Sequence, residues 1–197
     1  MAFLEPRTSA PVDLEAHLRA TPAGATTKGM FFSHLIGLAE TAAPTADVVA
    51  LAGLSPRRYV GFLDYPYVDL LRLLYAAPRL VYPKDGVGLG LRKLGRTIYP
   101  LFLGSHVGRV LFGVLGSDVE RVVALAPRGY ALSTPFADVS GVQIGPRHFQ
   151  IAMRGFPGFL ETQQVGVFEG ALLHYGLTPR VTVDVVDLAT ATLDVRW

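Results

Sequence analysis

The chain has 197 residues, 50% hydrophobic against 17% charged, with a mean hydropathy of +0.36, a balance that excludes a disordered polypeptide and supplies enough apolar material for one large core. Cysteine is absent, which removes disulfide frameworks, thiolate nucleophiles and every Cys-based zinc or iron–sulfur site. The net charge of +2 is carried by arginine, with lysine only at 28, 84 and 93, and fits biased base composition better than a nucleic-acid partner.

Met1 to Ala10 holds Glu5, Pro6 and Arg7 where a secretory leader needs an apolar run, so the expected location is cytoplasmic. Residues 1–28, rich in Pro, Thr and Ala, are expected as an N-terminal arm with a short helix from Asp13 to Arg19. Residues 29–197 are expected as a single α+β domain, helical over 29–127 and sheet-rich over 136–197. Met30, Phe31, Leu35, Ile36 and Leu38 predict a helix from Gly29 that ends before Pro44, and Asp47 caps a short helical turn through Leu51. Ser55-Pro56 opens a segment carrying Tyr59 and Phe62. Asp64-Tyr65-Pro66 signals a turn or a helix start, followed by the apolar face Val68, Leu71, Leu74 and Tyr75 up to Pro78.

Val87, Leu91, Leu94 and Ile98 recur at helical spacing, with a break at Gly104-Ser105 before a helix from Val107 to Leu115. The apolar run Ile98 to Gly116 is long enough for a bilayer, but Pro100, Ser105, His106 and Arg109 lie near its middle; a central arginine alone costs roughly 2.5–3.5 kcal/mol on insertion, so a buried helix pair is expected. Asp118 caps a helix to Leu125, which Pro127-Arg128-Gly129 ends. Beyond Pro135 the period changes to two: Val139, Val142 and Ile144, then Phe149, Ile151 and Met153, predict two strands around Gly145-Pro146. From Phe159, the residues Val165, Phe168, Leu172 and Tyr175 mark one helical face that Gly176 stops. Val181, Val183, Val185 and then Leu193, Val195, Trp197 alternate with polar residues as half-buried strands. Helices first and strands last predict an α+β fold, with N-terminal helices packed on a C-terminal antiparallel sheet of about four strands and one inserted helix.

The landmarks Tyr65-Pro66, Tyr82-Pro83, Leu94-Gly95-Arg96, Ser105-x-x-Gly108-Arg109, Gly166-x-x-Glu169-Gly170, Gly176 and Val195-Arg196-Trp197 together resemble a large uncharacterised paralogous family of myxobacteria over about residues 28 to 197. That family is itself distantly similar to the haem-nitric-oxide-binding domain, the vinyl-reductase-type sensor domain and the TRAPP vesicle-tethering subunits. The resemblance implies helices on a twisted sheet with a cavity between the two layers, and it implies no activity. Haem-binding relatives carry a histidine on a central helix and a Tyr-x-Ser-x-Arg clamp for the propionates. His106 lies in a suitable region, but the stretch Phe149 to Arg154 keeps only the arginine.

His106 stands among Phe102, Val107 and Val110, and is open to three readings: a core imidazole with a hydrogen-bond partner, a ligand contact or a haem ligand. His17 and His34 are expected at helix surfaces or edges, His148 on the polar side of a strand, and His174 beside an apolar face. No His/carboxylate spacing suggests a metal. Gly86-Val87-Gly88-Leu89-Gly90 lacks the preceding strand and the lysine of a phosphate loop. Ser105 and His106 diverge by about 100° on a helix, and no orienting acid is placed near them.

Arg92, Lys93, Arg96 and Arg109 form either a solvated basic face or, for Arg96 and Arg109, ion pairs with Asp69 or Glu169. Tyr65, Tyr67, Tyr75, Tyr82, Tyr99 and Phe102 are dense enough for core or for a cavity wall. The leading expectation is a non-catalytic sensory module that binds an apolar small molecule between helices and sheet through Tyr99, Phe102, His106, Arg109 and Phe156, with an unknown cofactor and a protein partner. The alternatives are a ligand-free scaffold acting as a homodimer and a haem-based gas sensor.

Overall fold

A computed structural model of the chain describes residues 3–105, 108–109 and 118–197. Asp13 closes the N-terminus of α1 (Leu14–Ala20), its carboxylate accepting from the Ala16 N–H. Asp47 does the same for α3 (Val48–Leu51), and Asp118 for α8 (Val119–Ala124). Between α1 and α3 runs α2 (Gly29–Ala42); α4 (Tyr67–Ala76), α5 (Pro78–Val81), α6 (Val87–Gly95) and α7 (Ile98–Gly104) precede α8, and α9 (Ala126–Ser133) follows it.

Four local expectations are corrected. Thr26–Lys28 (β1) and Asp64–Pro66 (β2) form an antiparallel two-stranded ladder, Thr27 opposite Tyr65; three-residue strands are too short to show a period of two. The pattern from Val87 to Ile98 is divided at Gly95, and α7 restarts beyond Thr97. Pro127 does not end a helix: it occupies the first turn of α9, where the missing N–H is harmless. The helix expected from Phe159 begins as a π-helical turn, Leu160–Gln164, with Phe159 in the left-handed region at φ 53°, and continues as α10 (Val165–His174). No helix among the described residues is long and apolar enough to cross a membrane.

The C-terminal sheet has strand order β3 (Asp138–Gly145), β4 (His148–Arg154), β6 (Thr190–Arg196), β5 (Arg180–Asp187), all antiparallel. Register places Ile151 opposite Leu193, and Leu193 opposite Val183, so the residues of one period-two row meet on one face. Phe149, Ile151, Met153, Val181, Val183, Leu193 and Val195 are all buried in the common core. α10 lies against β5, and α9 against β3. The expected fold, helices packed on a four-stranded antiparallel sheet with one helix inserted between the strand pairs, is the observed one. Residues 3–28 also contribute contacts: Leu4 exchanges both backbone hydrogen bonds with Val183 at the β5 edge, and α1 packs on α4.

Two glycines bring α6 and α10 into backbone contact. A Cβ on Gly95 would lie 2.1 Å from the Gln163 carbonyl oxygen, and one on Gly166 would lie 2.0 Å from that of Arg92. Across this contact the buried Glu169 carboxylate accepts from Arg92 and, at 2.9 Å, from Arg96 Nε. Burial works to raise the Glu169 pKa, but the hydrogen bonds and charges of the two guanidinium groups outweigh it, and the net direction is downward. The Gly86–Gly90 run is likewise a packing device: a Cβ on Gly88 would meet the Thr8 carbonyl and one on Gly90 the Pro78 ring.

Gly166→Val is therefore expected to destabilise the fold by about 3 kcal/mol or more, since neither backbone can retreat; equilibrium urea unfolding measures it. Because the folded-state pKa of Glu169 is depressed, its contribution is complete above the unfolded value near 4.5 and fades as pH falls toward the folded one. Glu169→Gln should cost roughly 2 kcal/mol at neutral pH and lose less stability than the wild type on acidification, as unfolding curves at neutral and acid pH would reveal.

Candidate functional site: an apolar cavity among the helices

A cavity of about 120 Å³ lies among α4, α7, α8, α9 and α10. Its apolar wall includes Leu70 and Leu74 from α4, Tyr99 and Phe102 from α7, and Phe168 and Ala171 from α10. Phe156, in the connection after β4, and Thr27, in β1, also line it. No described residue of β3 to β6 does. The expectation of a cavity between helices and sheet is corrected accordingly: α9, α10 and the π-turn rest directly on the sheet, filling that interface, and the free volume is displaced into the helical layer.

The polar groups in the wall are mostly satisfied within it. The Tyr130 hydroxyl donates to Gln164 Oε1, while Gln164 Nε2 donates to the Gly158 carbonyl at 3.1 Å and to Gln163 Oε1. Ser133 Oγ donates to the Gly129 carbonyl at 2.8 Å, and Thr134 Oγ1 to that of Tyr130 at 3.0 Å. The Thr27 hydroxyl is buried and has no partner. The wall contains no Asp, Glu, Lys, Arg or His among the described residues. Burial pushes the Tyr67 hydroxyl far above its ordinary value, aided by the neighbouring Tyr130, and burial does the same to Tyr130. The described residues of the wall are thus uncharged over the whole physiological range.

Of the five residues singled out from the sequence, Tyr99, Phe102 and Phe156 stand in this wall. Tyr99 also shares a hydrogen bond with the Tyr175 hydroxyl at 2.8 Å. Arg109 is exposed, and its Nη1 donates to the Gly104 carbonyl at 3.2 Å. His106 lies outside the described residues. Sequence reasoning named Tyr67 among the dense aromatics but missed Thr27, Tyr130, Gln163 and Gln164, to which no local pattern pointed.

The other histidines are engaged elsewhere. His17, expected at a surface, is buried, its Nδ1 donating to the Pro157 carbonyl at 3.0 Å; burial lowers its pKa more than that bond raises it. His34 Nε2 meets Thr97 Oγ1 at 2.7 Å. His148 pairs with the buried Asp194 at 2.7 Å, whose other oxygen holds Arg196. His174 is exposed beside the Tyr99 and Tyr175 rings. Among the described residues no three His, Asp or Glu side chains group as metal ligands. Three members of the expected basic face are ion-paired, Arg92 and Arg96 with Glu169 and Lys93 with Asp85.

Solved structures share the architecture. An unliganded Fe(II) H-NOX protein from K. algicida is 11% identical, covers 86% of this chain and 95% of its own, and superposes with a TM-score of 0.64. An H-NOX mutant from S. oneidensis in the Fe(II) state is 12% identical, with 86% and 95% covered and a TM-score of 0.68. A mutant of T. tengcongensis H-NOX is 11% identical, with 86% and 96% covered and a TM-score of 0.64. At such identities the likeness establishes the fold alone. No protein with a curated description matches the sequence. The chain belongs to the family described as protein of unknown function (DUF2378), whose model matches residues 20–197.

Tyr130→Phe removes the donor to Gln164 Oε1 and is expected to cost about 1–2 kcal/mol, read as a lower urea midpoint with an unchanged far-ultraviolet spectrum.

Proposed function

We propose that this DUF2378 chain is a non-catalytic binding module that holds one small apolar molecule in the cavity among its helices. The observation that carries this reading is a cavity of about 120 Å³ whose described wall residues are mostly apolar and carry no charge. An apolar cavity of about 150 Å³ stays dry and takes up benzene or xenon, so the space fits a ligand of that scale. Occupancy has a physical route outward, because the π-turn that supplies Gln163 and Gln164 packs on α6 and on β5, and α10 packs on α6, α7 and β5. A partner protein reading those surfaces would sense whether the cavity is filled.

The H-NOX neighbours raise haem as the alternative occupant. The residues described do not fit it. Among the described residues the wall offers neither an imidazole for iron nor a cation for propionates, and Arg154, the surviving position of the clamp pattern, is exposed and paired with Asp138 at 3.3 Å. Pockets for ligands of drug size and larger run to about 300–1,000 Å³, well above the volume here.

Gly129 provides the decisive variant. It lies in α9 on the cavity wall, and a Cβ there would find only the Phe102 ring, at 3.9 Å. Gly129→Leu should fill the space while improving helix propensity by about 1 kcal/mol. Toluene is expected to raise the melting temperature of the wild type and to leave Gly129→Leu unmoved; equal response of the two would end the reading. Haem added to the purified protein is expected to give no protein-bound Soret band, whereas a band lost in His106→Ala would reinstate the haem alternative.

A further inference from the structure

We infer that the cavity selects a neutral molecule of about one ring that carries a hydrogen-bonding group, such as an alcohol or a ketone, and that Thr27 receives that group. The inference rests on the reading of the cavity as a binding site and specifies its ligand. Thr27 is held at the middle of β1 by its pairing with Tyr65, so its position is set by the ladder. It lines the cavity, its residue exposure is 0%, and its hydroxyl makes no hydrogen bond. A buried hydroxyl left in that condition forfeits about 1–3 kcal/mol, and a group so placed calls for a partner that the protein itself does not supply.

The chemistry of the remaining wall narrows that partner. Tyr130, Ser133, Thr134 and Gln164 spend their polar groups on protein acceptors, and among the described wall residues the Thr27 hydroxyl is the fully buried one left without a partner, which favours a polar function on the ligand beside it. A carboxylate, phosphate or ammonium would find no counter-charge among the described wall residues, and burying an unpaired ion costs far more than one hydrogen bond returns. A hydroxyl or carbonyl meets both conditions, because the threonine hydroxyl both donates and accepts.

The test uses the full chain in calorimetric titrations with toluene, benzyl alcohol, acetophenone and benzoate, against the wild type, Thr27→Val and Thr27→Ser. The ratio of benzyl alcohol or acetophenone affinity to toluene affinity is expected to fall about tenfold in Thr27→Val and to persist in Thr27→Ser, with toluene affinity unchanged throughout. Thr27→Val should melt at or above the wild-type temperature, since the methyl replaces a hydroxyl with no bond to lose. An unchanged ratio in Thr27→Val, or wild-type binding of benzoate as tight as that of benzyl alcohol, overturns the role of Thr27 while leaving the cavity reading intact. Failure of toluene, benzyl alcohol and acetophenone alike to bind the wild type defeats the cavity reading itself.

Discussion

Backbone contact between α6 and α10 is the constraint on which the rest of the molecule depends. Gly95 and Gly166 permit it, because at either position a side chain would have to occupy the space of a carbonyl oxygen. The contact brings the buried Glu169 between Arg92 and Arg96, where charge-assisted hydrogen bonds are strong and a buried carboxylate left unpaired is costly. Sterics thus set how near the helices come, and electrostatics fixes their rotation. With α10 held there, its opposite side seats on the sheet and the preceding π-turn delivers Gln163 and Gln164 to the cavity wall.

That arrangement explains why free volume sits in the helical layer. The inner row of the sheet, Ile151, Leu193 and Val195 among it, is completely buried, and dense interdigitation of this kind tolerates few voids. The short helices α7, α8 and α9 each supply part of the cavity wall, with the large rings of Tyr99, Phe102 and Tyr130 among its residues. The π-turn adds to the mismatch by offsetting the helical repeat before α10 begins, a device common at functional sites. The chain shares its layers with H-NOX proteins, and among the described residues its cavity wall carries no charged side chain.

Much of this was legible in one dimension. Period-two alternation in 181–185 and 193–197 and the caps at Asp47 and Asp118 located strands and helix starts because those signals are local, a matter of one hydrogen bond or one exposed face. Aromatic density pointed to Tyr99, Phe102 and Tyr67 for the same reason that it usually marks core. Thr27 and Tyr130 gave no signal, since a hydroxyl acquires meaning only from what surrounds it after folding. The split at Gly95 was equally silent: glycine there answers to Gly166, 71 positions away in sequence (166 − 95), and helical periodicity within one segment carries no trace of the other.

The sequence alone determined the helices-then-strands order, the apolar faces, the antiparallel sheet and the absence of cysteine chemistry, because each follows from neighbouring residues and the fixed periods of the backbone. Tertiary structure decided the location of the cavity, the pairing of Glu169 with two arginines and the isolation of the Thr27 hydroxyl. Those are outcomes of close packing between distant segments, where fractions of an ångström between backbones settle which groups find partners and which do not.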